Sequence, residues 1–126
     1  MAETSPISPY LYYDDGVAAL EFLADAFGFQ ERMRHVDQDG TLRHGEMQFG
    51  TSVVMLASVP NSTPDALGGA TAGIYVTVDD VDAHCERARA AGAVIEGEPE
   101  DKPYGARMYG ARDPSGHIWW FAQAIA

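Results

Sequence analysis

The stretch Asp113-Pro114-Ser115-Gly116-His117-Ile118-Trp119-Trp120-Phe121 decides the fold. Its first four residues predict a tight turn, because Asp caps the turn, Pro presets φ and Gly tolerates the left-handed position. The bulky apolar residues that follow are strand formers and predict a strand. Because side chains alternate across a strand, Trp119 and Trp120 are expected on opposite faces. One indole then enters the core, and the other faces a second environment, where we look for function.

Composition limits the classes of protein to which the chain can belong. Its 126 residues, 46% of them hydrophobic and 21% charged, suit one compact soluble domain. We expect a cytoplasmic location, because no apolar run could span a membrane, no signal peptide opens the chain, and the single Cys85 excludes an internal disulfide. The net charge of −11 argues against nucleic acid or an anionic membrane as a partner. The same charge permits a cationic ligand, or it is simply a solvated acidic surface.

The chain carries one structural plan twice. Asp15 and Asp80 each precede a helical pattern as N-caps, and Gly28 and Gly92 follow these patterns as helix stops. A short strand precedes each helix, and further strands follow it. This order predicts a βαβββ repeat used twice.

The repeat places the elements along the chain. We expect a first module over about residues 7–59, a linker over about 60–71 and a second module over about 72–124, all within one domain of residues 1–126. In the first module the first strand is expected from Ile7 to Tyr13, and Asp39-Gly40 predicts a hairpin turn. In the second module the segment from Glu96 to Pro103 is expected to be an acidic loop, and His84 is expected on an exposed surface.

Several segments resemble the vicinal oxygen chelate superfamily, which includes glyoxalase I, extradiol dioxygenases, and fosfomycin- and bleomycin-resistance proteins. The matching segments are residues 13–22 with 26–29 in the first half, and residues 76–82, 90–93 and 113–117 in the second half. The resemblance implies an α+β fold in which two βαβββ modules form curved mixed sheets around a cavity, with the helices on the convex side. It also implies a homodimer, with cavities often built at the dimer interface.

The resemblance provides a test for the superfamily's metal site. Its ligands usually come from the first and fourth strands of each module, at positions that correspond here to Ser8, Gly73, Val54 or Met55, and Trp120. A divalent cation needs several N, O or S donors that converge on it, and these side chains do not supply them. We therefore expect a member without the superfamily's metal site and with no cofactor.

An aromatic lining is expected in place of the metal. Strand parity puts Tyr10 and Tyr12 on the face of Ser8, and Tyr75 on the face of Gly73. Together with Trp120, and with Met55 nearby, these side chains suit a flat apolar, aromatic or cationic ligand. Alternatively, they fill a small barrel or a dimer interface.

Three polar side chains are further candidates. His44 and Glu46 share a strand face, and they act as acid and base, as two ligands of a non-standard metal site, or as a structural hydrogen-bonded pair. Arg107 lies in a segment similar to the superfamily's Gly-x-Arg stretch, and it holds a ligand's carboxylate or phosphate or pairs with a local acid.

Two classes of function remain at this point. The first is a metal-free binding protein similar to the bleomycin-resistance branch, which sequesters a small aromatic or cationic compound such as an antibiotic. The second is a glyoxalase-like lyase or isomerase, or a dioxygenase, which is metal-dependent through a non-standard site or metal-independent through His44, Glu46 or Arg107. The sequence leaves enzymatic activity undecided and favours binding.

Overall fold

The computed structural model describes residues 5–125, which form two compact units that divide between Thr63 and Pro64. We call them module 1 and module 2. Each is a βαβββ unit with an open four-stranded mixed sheet, so the predicted α+β class and the duplicated plan are confirmed. Neither of the helices in this part of the chain has the length and apolar character needed to cross a membrane.

In module 1 the strands are arranged in the order β1-β4-β3-β2, with β1 parallel to β4 and the other pairs antiparallel. The elements are β1 (Tyr10–Tyr13), α1 (Gly16–Phe27), β2 (Gln30–Val36), β3 (Leu42–Phe49) and β4 (Ser52–Ser58). The first strand is shorter than expected and begins at Tyr10. Gly40 turns the β2–β3 hairpin with a φ of 87°, as the Asp-Gly pair predicts.

In module 2 the order β5-β8-β7-β6 repeats that topology, with β5 parallel to β8. The elements are β5 (Gly73–Thr77), α2 (Val81–Ala90), β6 (Val94–Lys102), β7 (Ala106–Arg112) and β8 (Ile118–Ala124). The Trp-containing strand is therefore an inner strand, hydrogen-bonded on both sides. A side chain at its centre can cover both neighbouring strands.

Both helices begin at the predicted caps. The Asp15 carboxylate accepts a hydrogen bond from the amide of Ala18 at 3.1 Å, and the Asp80 carboxylate accepts one from Ala83 at 3.1 Å. Helix α1 ends at Gly28 in the left-handed conformation, with a φ of 80°. In both modules the helix packs on one face of the sheet. We call the opposite sheet face the open face of that module.

The turn before β8 fixes which indole is buried. The Asp113 carboxylate accepts hydrogen bonds from the amides of Ser115 at 3.1 Å and His117 at 3.0 Å, and also from Nε1–H of Trp119 at 3.2 Å. Trp119 is fully buried, whereas Trp120 is 36% exposed. The predicted division of the two indoles between opposite faces is confirmed.

Two local expectations are wrong. The segment from Glu96 to Pro103 is not a loop, because most of it belongs to the edge strand β6, where two register irregularities accommodate Gly97 and Pro99. His84 is half-buried rather than exposed, because its Nδ1 hydrogen-bonds the hydroxyl of the core residue Tyr109 at 2.7 Å.

Candidate functional site

The open face of module 2 carries a cross-strand row of residues at its centre. Tyr75 on β5 pairs with Trp120 on β8, Trp120 pairs with Gly110 on β7, and Gly110 pairs with Gly97 on β6. Directly paired residues project from the same face. This row therefore has two large aromatic side chains at one end and two residues without side chains at the other.

The indole of Trp120 lies across its neighbouring strands. A methyl group at Gly73 on β5 would lie 2.7 Å from Cη2 of the ring and closer still to Cζ3. A methyl group at Gly110 on β7 would lie 3.5 Å from Cδ1 and 3.7 Å from Nε1. The benzene ring therefore covers Gly73, and the pyrrole edge faces Gly110. The ring requires the glycine at position 73, because any larger residue there would displace it.

A groove of about 380 Å³ runs along this face. Its lining includes Trp120, Met108 and the backbone of Gly97 and Gly110. A groove of this size is in the range that holds small organic ligands. The exposed aromatic face and the methionine suit a flat apolar ring.

Acidic side chains of β6 border the groove, but each one has a cation beside it. These ion pairs are Glu96 with Arg112, Glu98 with Arg89 at 2.5 Å, and Glu100 with Lys102. All six side chains are at least partly exposed, so each pair contributes little to stability. The pairs nevertheless reduce the negative charge that a ligand in the groove would meet.

The open face of module 1 carries a hydrogen-bonded relay of three side chains. The hydroxyl of Tyr10 lies 2.9 Å from Nδ1 of His44, and Nε2 of His44 lies 2.8 Å from Oε2 of Glu46. Nε of Arg32 lies 3.4 Å from the other carboxylate oxygen, Oε1. Strand β4 separates β1 from β3, so the relay crosses over Met55, which pairs with both Tyr10 and Glu46.

The phenol of Tyr10 sets the direction of the hydrogen bonds in the relay. Partial burial, followed by the nearby Tyr12 and Glu46, raises the pKa of Tyr10 above its usual 10.0. The phenol is therefore protonated at neutral pH and can donate to Nδ1, and in that arrangement Nε2–H of His44 donates to Glu46. A hydroxyl, an imidazole and an orienting carboxylate in sequence can transfer a proton, and they can equally hold a polar ligand group.

Three other predicted residues are placed as follows. Tyr12 is 43% exposed on the open face of module 1, with its ring centroid 5.9 Å from that of Tyr10 in an edge-on arrangement. Tyr75 is 54% exposed on the open face of module 2. Arg107 is not brought to either open face, because its guanidinium pairs with Asp82 of α2 at 3.0 Å and with Asp101 at 3.0 Å.

Sequence reasoning missed Arg32, Met108 and the pair Gly97–Gly110. Arg32 lies at a register irregularity of the β2–β3 pair, so strand parity alone misplaces it. A glycine inside a strand often marks a close approach of a ligand or of another chain segment, and that signal was available at Gly110 in a strand that was predicted correctly.

The residues present do not fit the superfamily's metal site. At the equivalent positions module 2 offers only Gly73 and an indole, and neither supplies a donor for a cation. In module 1, both ring nitrogens of His44 are already hydrogen-bonded. Across residues 5–125, no group of three or more His, Cys, Asp and Glu side chains is placed to hold a metal ion.

Known proteins share both the sequence and the fold. An uncharacterized protein of Mycobacterium bovis is 37% identical over an alignment of 126 positions that covers 94% of this chain and 83% of the relative. The crystal structure of TioX from Micromonospora sp. ML1 is 35% identical, with a TM-score of 0.78 over 99% of this chain and 100% of that one. TnmS3, an antibiotic binding protein from Streptomyces sp. CB03234, is 24% identical, with a TM-score of 0.74 over 98% of each chain, which shows a shared fold.

The family assignment rests on a match that covers most of the chain. The sequence profile of the glyoxalase/bleomycin resistance protein/dioxygenase superfamily matches residues 6–121. That range includes all elements of module 1 and those of module 2 as far as Phe121 in β8, with the Asp-Pro-Ser-Gly turn and Trp120. The chain belongs to the glyoxalase/bleomycin resistance protein/dioxygenase superfamily.

Proposed function

We propose that the chain is a metal-independent binding protein that sequesters a small aromatic compound, of the kind found among antibiotics, on its open faces. The observation that carries this proposal is the indole of Trp120, which lies flat across Gly73 and Gly110 beside a groove of about 380 Å³. A rigid, partly exposed aromatic surface binds a flat ring at little cost in conformational entropy. The ligand-binding residues we propose are Tyr75 and Trp120 on the open face of module 2, and Tyr10, Tyr12 and Met55 on the open face of module 1.

Two further observations support binding rather than chemistry in module 2. Among the described residues that line the groove, each acidic side chain is paired with a cation, so none of these carboxylates is free to act as an acid or a base. TnmS3 is an antibiotic binding protein and has the same fold, so the scaffold is compatible with this function. At 24% identity it carries no information about which compound this chain binds.

Fluorescence quenching tests the proposal directly. Both tryptophans lie in module 2, and Trp119 is fully buried, so a stacked ligand should quench Trp120 alone. A panel of planar antibiotics, neutral and cationic, should include compounds that quench the wild-type protein saturably and leave the residual emission of Trp120→Phe unchanged. If no member of the panel produced saturable quenching of the wild-type protein, the proposal would have to be abandoned.

The relay in module 1 favours a second function, a metal-independent lyase or isomerase. His44 is held between a phenol and a carboxylate, which is the arrangement of a positioned general base. Nδ1 of His44 could take the proton of the Tyr10 hydroxyl, and the resulting phenolate could abstract a proton next to a carbonyl group. A metal-dependent variant of this reaction would rely on His44 and Glu46, although residues 5–125 contain no group of three or more His, Cys, Asp and Glu side chains placed to hold a metal ion.

Proton exchange separates this enzyme from the binding protein. The purified protein would be incubated with a small α-hydroxyketone in D₂O containing a chelator, and loss of the α-proton would be followed by NMR. The enzyme hypothesis predicts exchange that is faster than with Glu46→Gln and His44→Ala. Equal background rates in all three proteins would remove its support. Elemental analysis of protein purified without chelator tests the metal-dependent variant, which requires a stoichiometric metal.

We also propose that the protein acts as a cytoplasmic homodimer. The superfamily resemblance supports the dimer, and the single cysteine supports a reducing compartment. Light scattering coupled to size exclusion should give twice the 13.6 kDa mass of the chain. A monomeric mass at micromolar concentration would contradict the dimer.

A further inference from the structure

The groove of module 2 contains an open bay beside the pyrrole edge of Trp120. We define the bay as the space over the paired residues Gly97 and Gly110 on the open face. A methyl group at Gly97 would meet no atom within 4 Å, and one at Gly110 would meet only the indole. Two strands thus expose bare backbone side by side, and the bay can take a planar group in contact with that backbone.

The orientation of the indole places a hydrogen-bond donor at the edge of this bay. The benzene ring is directed to Gly73, whereas Cδ1 and Nε1 are on the side of Gly110. Nε1–H of the neighbouring Trp119 donates to Asp113 at 3.2 Å, but Nε1–H of Trp120 has no acceptor among residues 5–125. An indole nitrogen can only donate, so the group that satisfies it must be an acceptor.

The surrounding charges indicate what kind of acceptor fits. Glu98 forms an ion pair with Arg89, and Glu96 forms one with Arg112. Both carboxylates are therefore already neutralised and attract a cationic ligand only weakly. A protonated ring nitrogen would also have lost the lone pair that an N–H donor needs. An uncharged heteroaromatic ring meets both conditions.

We propose that the bay over Gly97 and Gly110 is a subsite for an uncharged, flat heteroaromatic ring whose ring nitrogen or carbonyl oxygen accepts a hydrogen bond from Nε1–H of Trp120. The subsite rests on the proposed binding function and deepens it by naming the ligand class. It separates two functions of one residue: the indole face provides stacking, and the indole N–H selects for an acceptor. Gly97 and Gly110 are then specificity-determining residues, because any side chain there occupies the ring's place.

NMR with two probes that share the same fused rings tests the subsite. Quinoline is flat, neutral at neutral pH and carries an acceptor nitrogen, whereas N-methylquinolinium has the same rings, no acceptor and a positive charge. In ¹⁵N-labelled protein the two indole N–H signals are assigned with Trp120→Phe. Quinoline should move the Trp120 indole proton downfield in a saturable manner and leave Trp119 in place. N-methylquinolinium should cause no downfield movement and should bind more weakly.

Substitutions in β6 give the second part of the test. Gly97→Leu fills the bay without strain, because Gly97 does not need the left-handed conformation and has free space beside it. We expect it to weaken quinoline binding by about tenfold or more, whereas the control Val94→Leu, on the same strand outside the groove, should bind as the wild type does.

The outcomes distinguish the subsite from the proposed function. Equal or tighter binding of N-methylquinolinium, no binding of quinoline, or unchanged quinoline affinity in Gly97→Leu would each overturn the subsite. The binding function would still stand if planar antibiotics quench Trp120. Failure of every planar compound to quench Trp120 would overturn the binding function itself.

Discussion

At the scale of single residues, Gly73 is as important to the site as the tryptophan that covers it. Gly73→Ala would place a methyl group inside the contact distance of the benzene ring, so the indole must tilt away from the sheet. We expect an altered Trp120 emission spectrum and about tenfold weaker binding of planar compounds. Fluorescence titration checks both.

The control for this prediction is Thr77→Ala, on the same strand and open face but away from the ring. It should leave emission and affinity unchanged. Unchanged affinity in Gly73→Ala would mean that the flat position of the indole is not needed for binding.

Asp113 is important for stability, because its buried carboxylate accepts hydrogen bonds both from the turn before β8 and from the indole of Trp119 in the core. Asp113→Ala leaves three donors without this acceptor, and we expect a loss of about 3 kcal/mol in the free energy of unfolding. Asp113→Asn retains one acceptor oxygen and should lose less, about 1 kcal/mol. Urea unfolding measures both, and equal stability of Asp113→Ala and the wild type would contradict this assignment.

The sequence predicts residue positions well where strand parity alone decides them. The opposite orientations of Trp119 and Trp120, and the exposure of Tyr10 and Tyr12, follow from a period of two. The hydrogen bond between Tyr10 and His44 does not follow from this period, since the two residues lie on strands that are separated by β4. Only the length of both side chains lets them meet, and their register is set by tertiary pairing.

At the scale of elements, α2 buries the only cysteine of the chain. Cys85 is fully buried, and burial raises the pKa of its thiol despite the nearby guanidinium of Arg89. A thiol with a raised pKa holds little thiolate at neutral pH. We therefore expect very slow reaction of the native protein with Ellman's reagent, and one thiol per chain in urea. Rapid reaction of one thiol in the native protein would show that α2 opens readily.

Strand β6 shows where element prediction failed and why. Its sequence is rich in Glu and contains Gly and Pro, which are depleted in strands. It is nevertheless a strand because it lies at the sheet edge, where its bulges are tolerated and its carboxylates reach solvent and pair with cations. A short stretch of sequence does not show that a segment will lie at a sheet edge. Because β6 was predicted as a loop, the side of the groove that contains Gly97 was not predicted either.

At the scale of the whole molecule, we propose that residues 1–126 are one cooperative domain although two compact units are visible. Both tryptophans lie in module 2, so fluorescence reports that module, whereas far-UV circular dichroism reports the helices and strands of both. A single domain predicts coincident urea transitions by the two methods. Transitions that separate by more than experimental error would show that the modules unfold independently.

Calorimetric titration of a planar antibiotic that quenches Trp120, with and without EDTA, tests the whole account most directly. We predict the same dissociation constant in both buffers for the wild-type protein, and an increase of about tenfold or more in Trp120→Ala. Loss of binding in EDTA, or equal affinity of Trp120→Ala and the wild type, would contradict an aromatic surface that replaces the metal.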